Sequence, residues 1–272
     1  MENTDPACPP VFVINLPKDE QRREIMRARL EKTGAPFSFI EAVNGKVPGF
    51  DPGTLYDGAK RRRYFGRDLM PGEIGCLLSH RKLFEKMVTE KIPYAIILED
   101  DVIFEDDFLE AMKALPLSPV KWDVVRFLGS QKIYARGCRK IAPLIGQYWM
   151  ARLPTSPGGA HGYMLTLHAA EVMLKHMQSS WVPIDTLQGR MWETGLETLV
   201  LHPAPLHIDL GVGSTIGDER MDKTVRLQGL ERIFFPLNRL AYKLSDTFGK
   251  RYIYWSSWPR DRFAGRLKGR KI

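Results

Sequence analysis

The chain has 272 residues, of which 44% are hydrophobic and 26% charged, and these values exclude a disordered chain, a collagen-like repeat and a small disulfide-rich domain. No stretch approaches 18 consecutive apolar residues, so the sequence predicts no transmembrane helix. The formal net charge of +8 favours acidic or phosphorylated partners over basic ones.

Short apolar runs alternate with amphipathic stretches along most of the chain, which predicts an α/β fold. In chain order the predicted elements are strand Val11–Asn15, helix Glu20–Lys32, strand Phe37–Ala42, an irregular stretch over 47–71, helix Glu73–Val88, strand Pro93–Leu98, strand Trp122–Leu128, strand Gly162–Thr166, helix His168–Met177, strand Thr198–His202 and helix Leu227–Leu244.

The positive charge is concentrated at the C-terminal end. Residues 222–272 hold 13 Lys and Arg against 4 Asp and Glu, whereas residues 1–221 hold 27 against 28. We therefore divide the chain into one globular domain, 1–221, and a basic aromatic extension, 222–272. The predicted helix of the extension combines apolar, aromatic and basic side chains, which is typical of attachment to an anionic membrane surface.

There is an alternative interpretation of the extension. Phe234, Phe235 and Leu240 could complete the core of the globular domain while the basic residues stay solvated. Pro236 interrupts the apolar run and argues against one straight helix. Both interpretations stand on the sequence alone.

The N-terminus and the cysteines bear on the compartment. The first ten residues lack the basic and apolar regions of a secretory signal. Cys8, Cys76 and Cys138 show no metal-ligand spacing, which favours free thiols in a reducing cytosol. We expect a cytoplasmic protein that lies peripherally on the inner face of the cytoplasmic membrane.

The clearest signal for chemistry is the acidic triplet Glu99–Asp101, which follows the predicted strand Pro93–Leu98. Open α/β sheets bind ligands beyond the carboxyl ends of their strands. Carboxylates at that place can hold Mg²⁺ or Mn²⁺, and such an ion neutralises the diphosphate of a departing nucleotide. The alternative is a solvated acidic turn, since three more acids follow at 105–107.

Several segments together resemble glycosyltransferase family 25, which contains lipopolysaccharide and lipooligosaccharide galactosyltransferases. The resemblance covers residues 11 to 216. The matching segments are Val11–Leu16 with Arg22, Ala42–Gly45, Gly72–His80, Leu98–Asp101, and Gly159–Leu165 followed by Pro183–Asp185.

The resemblance implies a GT-A-like fold, which is a Rossmann-type nucleotide-sugar-binding domain with a mainly parallel sheet. It also implies inverting transfer of a hexose, usually galactose, from a UDP-sugar to a lipid-linked or lipopolysaccharide core glycan. By the same resemblance, Asp101 and Glu99 hold Mn²⁺ or Mg²⁺, which makes Asp101 a catalytic residue. The donor-binding residues that it implies are Asn15, Leu16, Arg22, Gly75, His80, Glu99 and Asp100.

Two further site residues are hypotheses with open alternatives. His207 is a candidate metal ligand in a late stretch where the sequence departs from the family pattern, and the alternative is a surface histidine at a strand end. Asp185 is our candidate for the catalytic base, and the alternatives are a helix N-cap or an acceptor-binding residue. For His80 the alternative is a hydrogen-bonded core histidine.

Two rival functions belong to other classes. A metal-dependent nucleotidyl or phosphoryl transferase would use the same carboxylates and cation. A nucleic-acid or membrane-binding module led by the basic extension would bind in a salt-dependent way without the acidic triplet. Nucleic acid is the weakest candidate partner, because the positive charge is confined to the extension, and we expect none to bind.

Overall fold

The structure, a computed structural model, describes residues 8–128, 134–135, 137–209, 211, 224–225 and 227–264. The strands are β1 Val11–Asn15, β2 Phe37–Glu41, β3 Tyr94–Glu99, β4 Val102–Phe104, β5 Val124–Arg126, β6 Arg139–Ile145, β7 Tyr148–Arg152, β8 Gly162–Thr166, β9 Thr198–His202 and β10 Leu206–Ile208. The helices are α1 Glu20–Thr33, α2 Gly58–Phe65, α3 Pro71–Thr89, α4 Phe108–Ala114, α5 Leu167–His176, α6 Ile184–Gln188, α7 Met191–Thr194, α8 Gly229–Ser256 and α9 Trp258–Ala264.

One large sheet organises the described residues. Its strand order is β2-β1-β3-β8-β5-β9-β7-β6, and β4 pairs with β10 in a separate small sheet. Strands β7 and β8 run against the other six strands of the large sheet. The prediction of an α/β fold with a mainly parallel sheet and a C-terminal helix is confirmed.

Helices cover both faces of this sheet. Successive side chains of β1 point to opposite faces, so Val11 and Val13 join the core beneath α1 and α4, while Phe12 and Ile14 join the core beneath α3 and α5. This explains why β1 is apolar at nearly every position. With both faces covered, the strand ends are the places where the sheet can offer polar side chains to a ligand.

The stretch over 47–71 is not the irregular loop that its composition predicts. It contains a 3₁₀ turn at Gly53–Leu55 and the helix α2. Asp57 begins α2 by accepting a hydrogen bond from the backbone N–H of Lys60. Gly66 ends it in the left-handed conformation. Both capping residues can be recognised in the sequence. The run of charged residues between them, however, does not show the apolar periodicity that predicts a helix.

The C-terminal helices are attached to the large sheet and to α2. Tyr242 of α8 contacts Phe65 at 4.7 Å and Trp181 at 5.7 Å between ring centroids. Asp261 of α9 is buried and pairs with Arg152 at 2.8 Å. No helix among the described residues is long and apolar enough to cross a membrane. The predicted boundary between residues 221 and 222 lies outside the described residues.

The helix α8 differs from its prediction in length and in burial. It continues past Pro236 as one helix of 28 residues. Phe234 and Leu240 are more than half exposed, so the alternative that they complete the core is wrong for these two residues. Phe235 is half-buried, against Gly66.

The helix α3 approaches the loop after β2 so closely that only glycine fits at position 75. A Cβ on Gly75 would lie 2.5 Å from the carbonyl oxygen of Val43 and 2.7 Å from the amide nitrogen of Gly45. We expect Gly75→Ala to lower the free energy of unfolding by about 1–3 kcal/mol, although alanine favours helices. Thermal or urea unfolding measures this change.

The matched control for Gly75→Ala is Gly158→Ala. At Gly158 the nearest atom to an added Cβ is 3.9 Å away, so we expect no comparable loss of stability. If Gly75→Ala is as stable as the native chain, the loop moves aside at no cost in free energy. The close approach would then not restrict position 75 to glycine.

Candidate active site

Three chain segments converge at one edge of the large sheet. β1 ends at Asn15 and β3 ends at Glu99, and these parallel strands are neighbours. β8 runs antiparallel to β3, so its first residues lie beside the last residues of β3. The backbone N–H of Glu99 donates to the carbonyl oxygen of His161 at 2.9 Å. The topology therefore brings His161 to the acidic triplet.

A cleft of about 790 Å³ opens at this edge. We call it the first cleft. Its lining combines basic side chains with carboxylates, which suits a ligand that carries both phosphates and a cation. Its lining includes Leu16, Lys18, Arg22, Asn44, Lys46, Glu99, Asp100, Asp101 and His161.

An imidazole lies between two carboxylates of the triplet. The Nδ1 atom of His161 is 3.0 Å from Glu99 Oε2 and 3.0 Å from Asp101 Oδ1. Burial alone would lower the pKa of His161, but the two carboxylates outweigh it and raise that pKa to about 10. Burial alone would raise the pKa of Glu99, but His161 and His80 hold it well below its usual range. The site therefore concentrates charge in a partly buried position.

The middle acid of the triplet is bound from a neighbouring strand and helix. Asn15 donates to Asp100 Oδ2 at 2.6 Å, and Arg22 of α1 lies 2.8 Å from Asp100 Oδ1. The same guanidinium is 3.2 Å from Asp101 Oδ2. Burial raises the pKa of Asp100 to about 6, although Asn15 and Arg22 oppose the rise. Asp100 thus positions Asn15 and Arg22 beside the cleft.

His80 stands behind Glu99 and lines neither cleft described here. It is fully buried, and its Nδ1 atom is 2.7 Å from the hydroxyl of Tyr163. Its Nε2 atom is 3.6 Å from Glu99 Oε1. This is the placement of a core histidine hydrogen-bonded to Tyr163, and its Nε2 atom faces Glu99 from outside both clefts.

A second cleft of about 730 Å³ adjoins the first. Both clefts are lined by Cys76, Glu99 and His161, and Asp185 lines only the second. Asp185 Oδ2 accepts from the backbone N–H of Gly159 at 2.8 Å, and Oδ1 accepts from the backbone N–H of Thr186 at 2.6 Å. The segment Gly159–His161 therefore holds Asp185 at one end and the acidic triplet at the other.

Beneath this segment lies a buried arginine. Arg126 donates to the carbonyl oxygens of Pro157 and Gly159, and to the hydroxyl of Ser156 at 3.1 Å. Burial lowers the pKa of Arg126, while the nearby carboxylate of Asp185 opposes that change. Arg126 fixes the backbone from which the N–H of Gly159 reaches Asp185.

The residues present fit a divalent cation. One atom each from Glu99, Asp101 and His161 lie within 4.8 Å of one another. Carboxylate oxygens suit Mg²⁺ and Mn²⁺, and an imidazole nitrogen suits transition metals once the cation has displaced the proton that Glu99 and Asp101 favour on His161. Cys76, His80 and Glu99 form a second such group, but a thiol and a fully buried imidazole are poor ligands for Mg²⁺.

The structure places His207 apart from this group. His207 is exposed on β10 and pairs with Glu105. The later part of the same segment does return to the triplet, because the backbone N–H of Asp209 donates to the carbonyl oxygen of Asp101 at 2.7 Å. Asp209 also pairs with Arg29 of α1. This segment therefore reaches the triplet through the backbone of Asp209 and not through the side chain of His207.

Sequence reasoning missed His161 and the cationic side of the first cleft, Lys18 and Lys46. The signal for His161 is its place one residue before a predicted strand, inside a glycine-rich segment. That signal becomes specific only when β8 is known to lie antiparallel to β3. Of the other predicted residues, Leu16, Arg22, Glu99, Asp100 and Asp101 line the first cleft, while Asn15 and Gly75 support it from behind.

Comparisons with known proteins agree on the family. The sequence model of glycosyltransferase family 25 (LPS biosynthesis protein) matches residues 8–188. Procollagen galactosyltransferase 1-B of Xenopus laevis is 26% identical over 199 residues, which are 67% of this chain and 31% of that protein. A Rattus norvegicus protein named probable inactive glycosyltransferase 25 family member 3 is 30% identical over 229 residues, 72% of this chain and 38% of its own.

The chain therefore spans about a third of the length of these curated relatives. Among solved structures, a glycosyltransferase involved in the glycosylation of the major capsid of PBCV-1 aligns with 71% of this chain and 81% of its own. Its sequence identity is 10% and its TM-score is 0.34.

Proposed function

The chain belongs to glycosyltransferase family 25, and from that premise we propose that it transfers a hexose, most directly galactose, from a UDP-sugar to a glycan acceptor with inversion at the anomeric carbon. The observation that carries the proposal is the pair of adjoining clefts. They share Glu99 and His161, so a donor in the first cleft and an acceptor in the second would meet at the charged cluster.

The first cleft is our candidate donor site. Arg22, Lys18 and Lys46 line it and supply positive charge for a diphosphate. Leu16 and Ala42 supply apolar surface for a base or ribose. The negative charge that develops on departing UDP needs stabilisation by groups that are already oriented, and the ion pairs of Arg22 hold this side chain in place.

We assign Glu99, Asp101 and His161 as the residues that would hold a divalent cation. A bound cation would supply Lewis-acid stabilisation of the leaving diphosphate. The mixed set of two carboxylates and one imidazole favours Mn²⁺ over Mg²⁺. His80 and Asn15 then act as positioning residues, because each holds an acid of the triplet from outside the cleft.

Asp185 is our candidate base. In an inverting transfer the acceptor oxygen bonds to the anomeric carbon while the bond from that carbon to the UDP oxygen breaks, and the hydroxyl proton passes to a base. Oδ1 of Asp185 accepts from the backbone N–H and the hydroxyl of Thr186, whereas Oδ2 accepts only from the backbone N–H of Gly159 among the described residues and keeps lone-pair capacity for the acceptor hydroxyl. The two hydrogen bonds from backbone N–H groups fix the orientation of the Asp185 carboxylate toward the acceptor.

For the acceptor we propose a lipid-linked or lipopolysaccharide-type glycan, met by an enzyme that lies peripherally on the inner face of the cytoplasmic membrane. The family description as an LPS biosynthesis protein supports such an acceptor, and the procollagen galactosyltransferases among the relatives support galactose as the sugar. The exposed apolar side chains of α8 support the membrane location.

Binding of UDP tests the donor site before any transfer is measured. We expect calorimetric affinity for UDP to be highest with Mn²⁺, lower with Mg²⁺ and at least about tenfold weaker with excess chelator, because carboxylates would otherwise face the diphosphate directly. Arg22→Ala should weaken UDP binding, whereas Arg27→Ala, on the exposed side of the same helix, should not. Equal UDP affinity with cation and with chelator would contradict a role of the metal in UDP binding.

A further inference from the structure

The outer face of α8 carries a long apolar stripe that stays exposed among the described residues. At 3.6 residues per turn, its members occupy about a third of the helix circumference and run for about 38 Å along the axis. Each is between 47% and 72% exposed. This outer stripe consists of Leu230, Ile233, Phe234, Leu237, Leu240, Leu244, Phe248, Tyr252 and Trp255.

The opposite face of α8 attaches the helix to the rest of the protein. The guanidinium of Arg190 lies 5.4 Å from the ring of Tyr242 and 3.7 Å from Asp246. Gly249 sits against Trp192 so closely that an added Cβ would lie 2.3 Å from the ring. A helix that packs on a core normally buries its apolar side, and α8 does the reverse. The outer stripe is therefore held in a fixed, outward orientation.

We propose that the outer stripe docks α8 flat on an anionic lipid bilayer, with the apolar side chains in the acyl-chain boundary. Contiguous exposed apolar surface of this length marks a binding face. The helix α8 holds five Lys and Arg against two Asp and Glu, so lipid charge attracts it. Tyr252 and Trp255 are side chains that favour the level of lipid headgroups.

Charge also decides between a bilayer and a second copy of the chain. Arg251 follows Phe248 by three residues and precedes Trp255 by four, so it lies at the edge of the outer stripe. Lys243 and Arg232 are exposed on the same helix. Pairing two such helices would bring like charges together, whereas anionic headgroups neutralise them. The proposal deepens the membrane location of the proposed function by naming the face that meets the bilayer, and it rests on that function in that the bilayer would carry the lipid-linked acceptor.

The test compares two double variants of the full chain with the same change in charge. Leu237→Asp with Phe248→Asp alters the outer stripe, and Leu117→Asp with Ile145→Asp alters exposed apolar residues elsewhere. Each protein is sedimented with vesicles of three parts phosphatidylcholine and one part phosphatidylglycerol, and with phosphatidylcholine alone. We expect the native chain and the control variant to bind the anionic vesicles. The affinity of the stripe variant for these vesicles should be lower by about tenfold or more.

Both variants alter exposed side chains, so thermal unfolding should show the same midpoint for both. Equal vesicle binding by the two variants, or no binding by the native chain at low salt, would overturn the proposal. A dimer of the native chain that the stripe variant dissociates, without vesicle binding, would identify a self-association face and would also overturn it. The vesicle assay contains no UDP-sugar, so its result does not depend on whether the protein transfers a sugar.

Discussion

Asp101→Asn is expected to reduce sugar transfer by roughly 10³-fold, since loss of a cation ligand removes several kcal/mol of charge stabilisation at the leaving group. UDP binding should also lose its dependence on Mn²⁺. The melting temperature should change little, because Arg22 keeps its ion pair with Asp100 and His161 keeps its partner Glu99. Initial rates with a UDP-sugar, calorimetry with UDP and thermal unfolding measure the three quantities.

The matched control for Asp101→Asn is Asp106→Asn. Asp106 is an exposed acid five residues further along the chain, so the same chemical change there should leave rate and UDP binding intact. A native rate in Asp101→Asn, or in the unmodified protein with excess chelator, would contradict a metal role for the triplet.

Asp185→Ala is expected to lower turnover by roughly 10²–10⁴-fold while UDP affinity changes modestly, which is the usual scale for loss of a general base. The conservative variant separates a base from a positioning residue. Asp185→Asn keeps an oxygen for the backbone N–H of Gly159 and loses the acceptor for the backbone N–H of Thr186, and it cannot take up a proton. If Asp185 is the base, both variants should be equally slow.

Two outcomes would assign Asp185 another role. If Asp185→Asn retains most of the turnover, the carboxylate serves to hold Gly159–His161 in place. If turnover persists in both variants and only the Michaelis constant of the acceptor rises, Asp185 binds the acceptor and another group takes the proton.

The part of the site that the sequence predicts is the part fixed by neighbouring parallel strands. The apolar runs of β1 and β3 identify them as buried strands, and polar residues follow at their carboxyl ends. Parallel strands end at the same edge of the sheet, so Asn15 lies beside the acidic triplet and donates a hydrogen bond of 2.6 Å to Asp100. The pattern of apolar residues and the geometry of α/β sheets predicted the place of the acidic triplet, whereas Asn15 was predicted only through the resemblance to the family.

The sequence could not place His161, because its position depends on strand order and direction. β8 follows β3 at a distance along the chain and lies beside it in the opposite direction, with Leu98 opposite Gly162. A parallel β8 would have put His161 at the far edge of the sheet. No local pattern distinguishes these two directions for a short buried strand.

His207 illustrates the limit set by strand alternation. Neighbouring residues of β10 point to opposite sides, so a shift of one residue decides whether a side chain faces the site or the solvent. His207 faces Glu105 at the surface, while the backbone of Asp209 reaches Asp101. The structure therefore places the His207 side chain away from the other candidate ligands, and only the backbone of the same segment returns to the triplet.

The helix α8 shows where local propensity is overridden. Pro236 lacks an N–H and predicts a break, yet the helix continues to Ser256. Contacts of Tyr242 with Phe65 and Trp181 fasten the helix after the proline. The exposure of the outer stripe could not be read from amphipathic spacing, because the same spacing describes a helix that packs on a core.

The most direct measurement of the central claim is product formation from UDP-galactose, UDP-glucose, UDP-N-acetylglucosamine and UDP-N-acetylgalactosamine, each with and without a lipooligosaccharide core glycan and Mn²⁺. The account predicts that one UDP-hexose, UDP-galactose first, yields UDP and a glycan that is one sugar heavier, only with Mn²⁺ and with the opposite anomeric configuration. Retained configuration, transfer of the nucleotide instead of the sugar, or no UDP release from any of the four donors would contradict it.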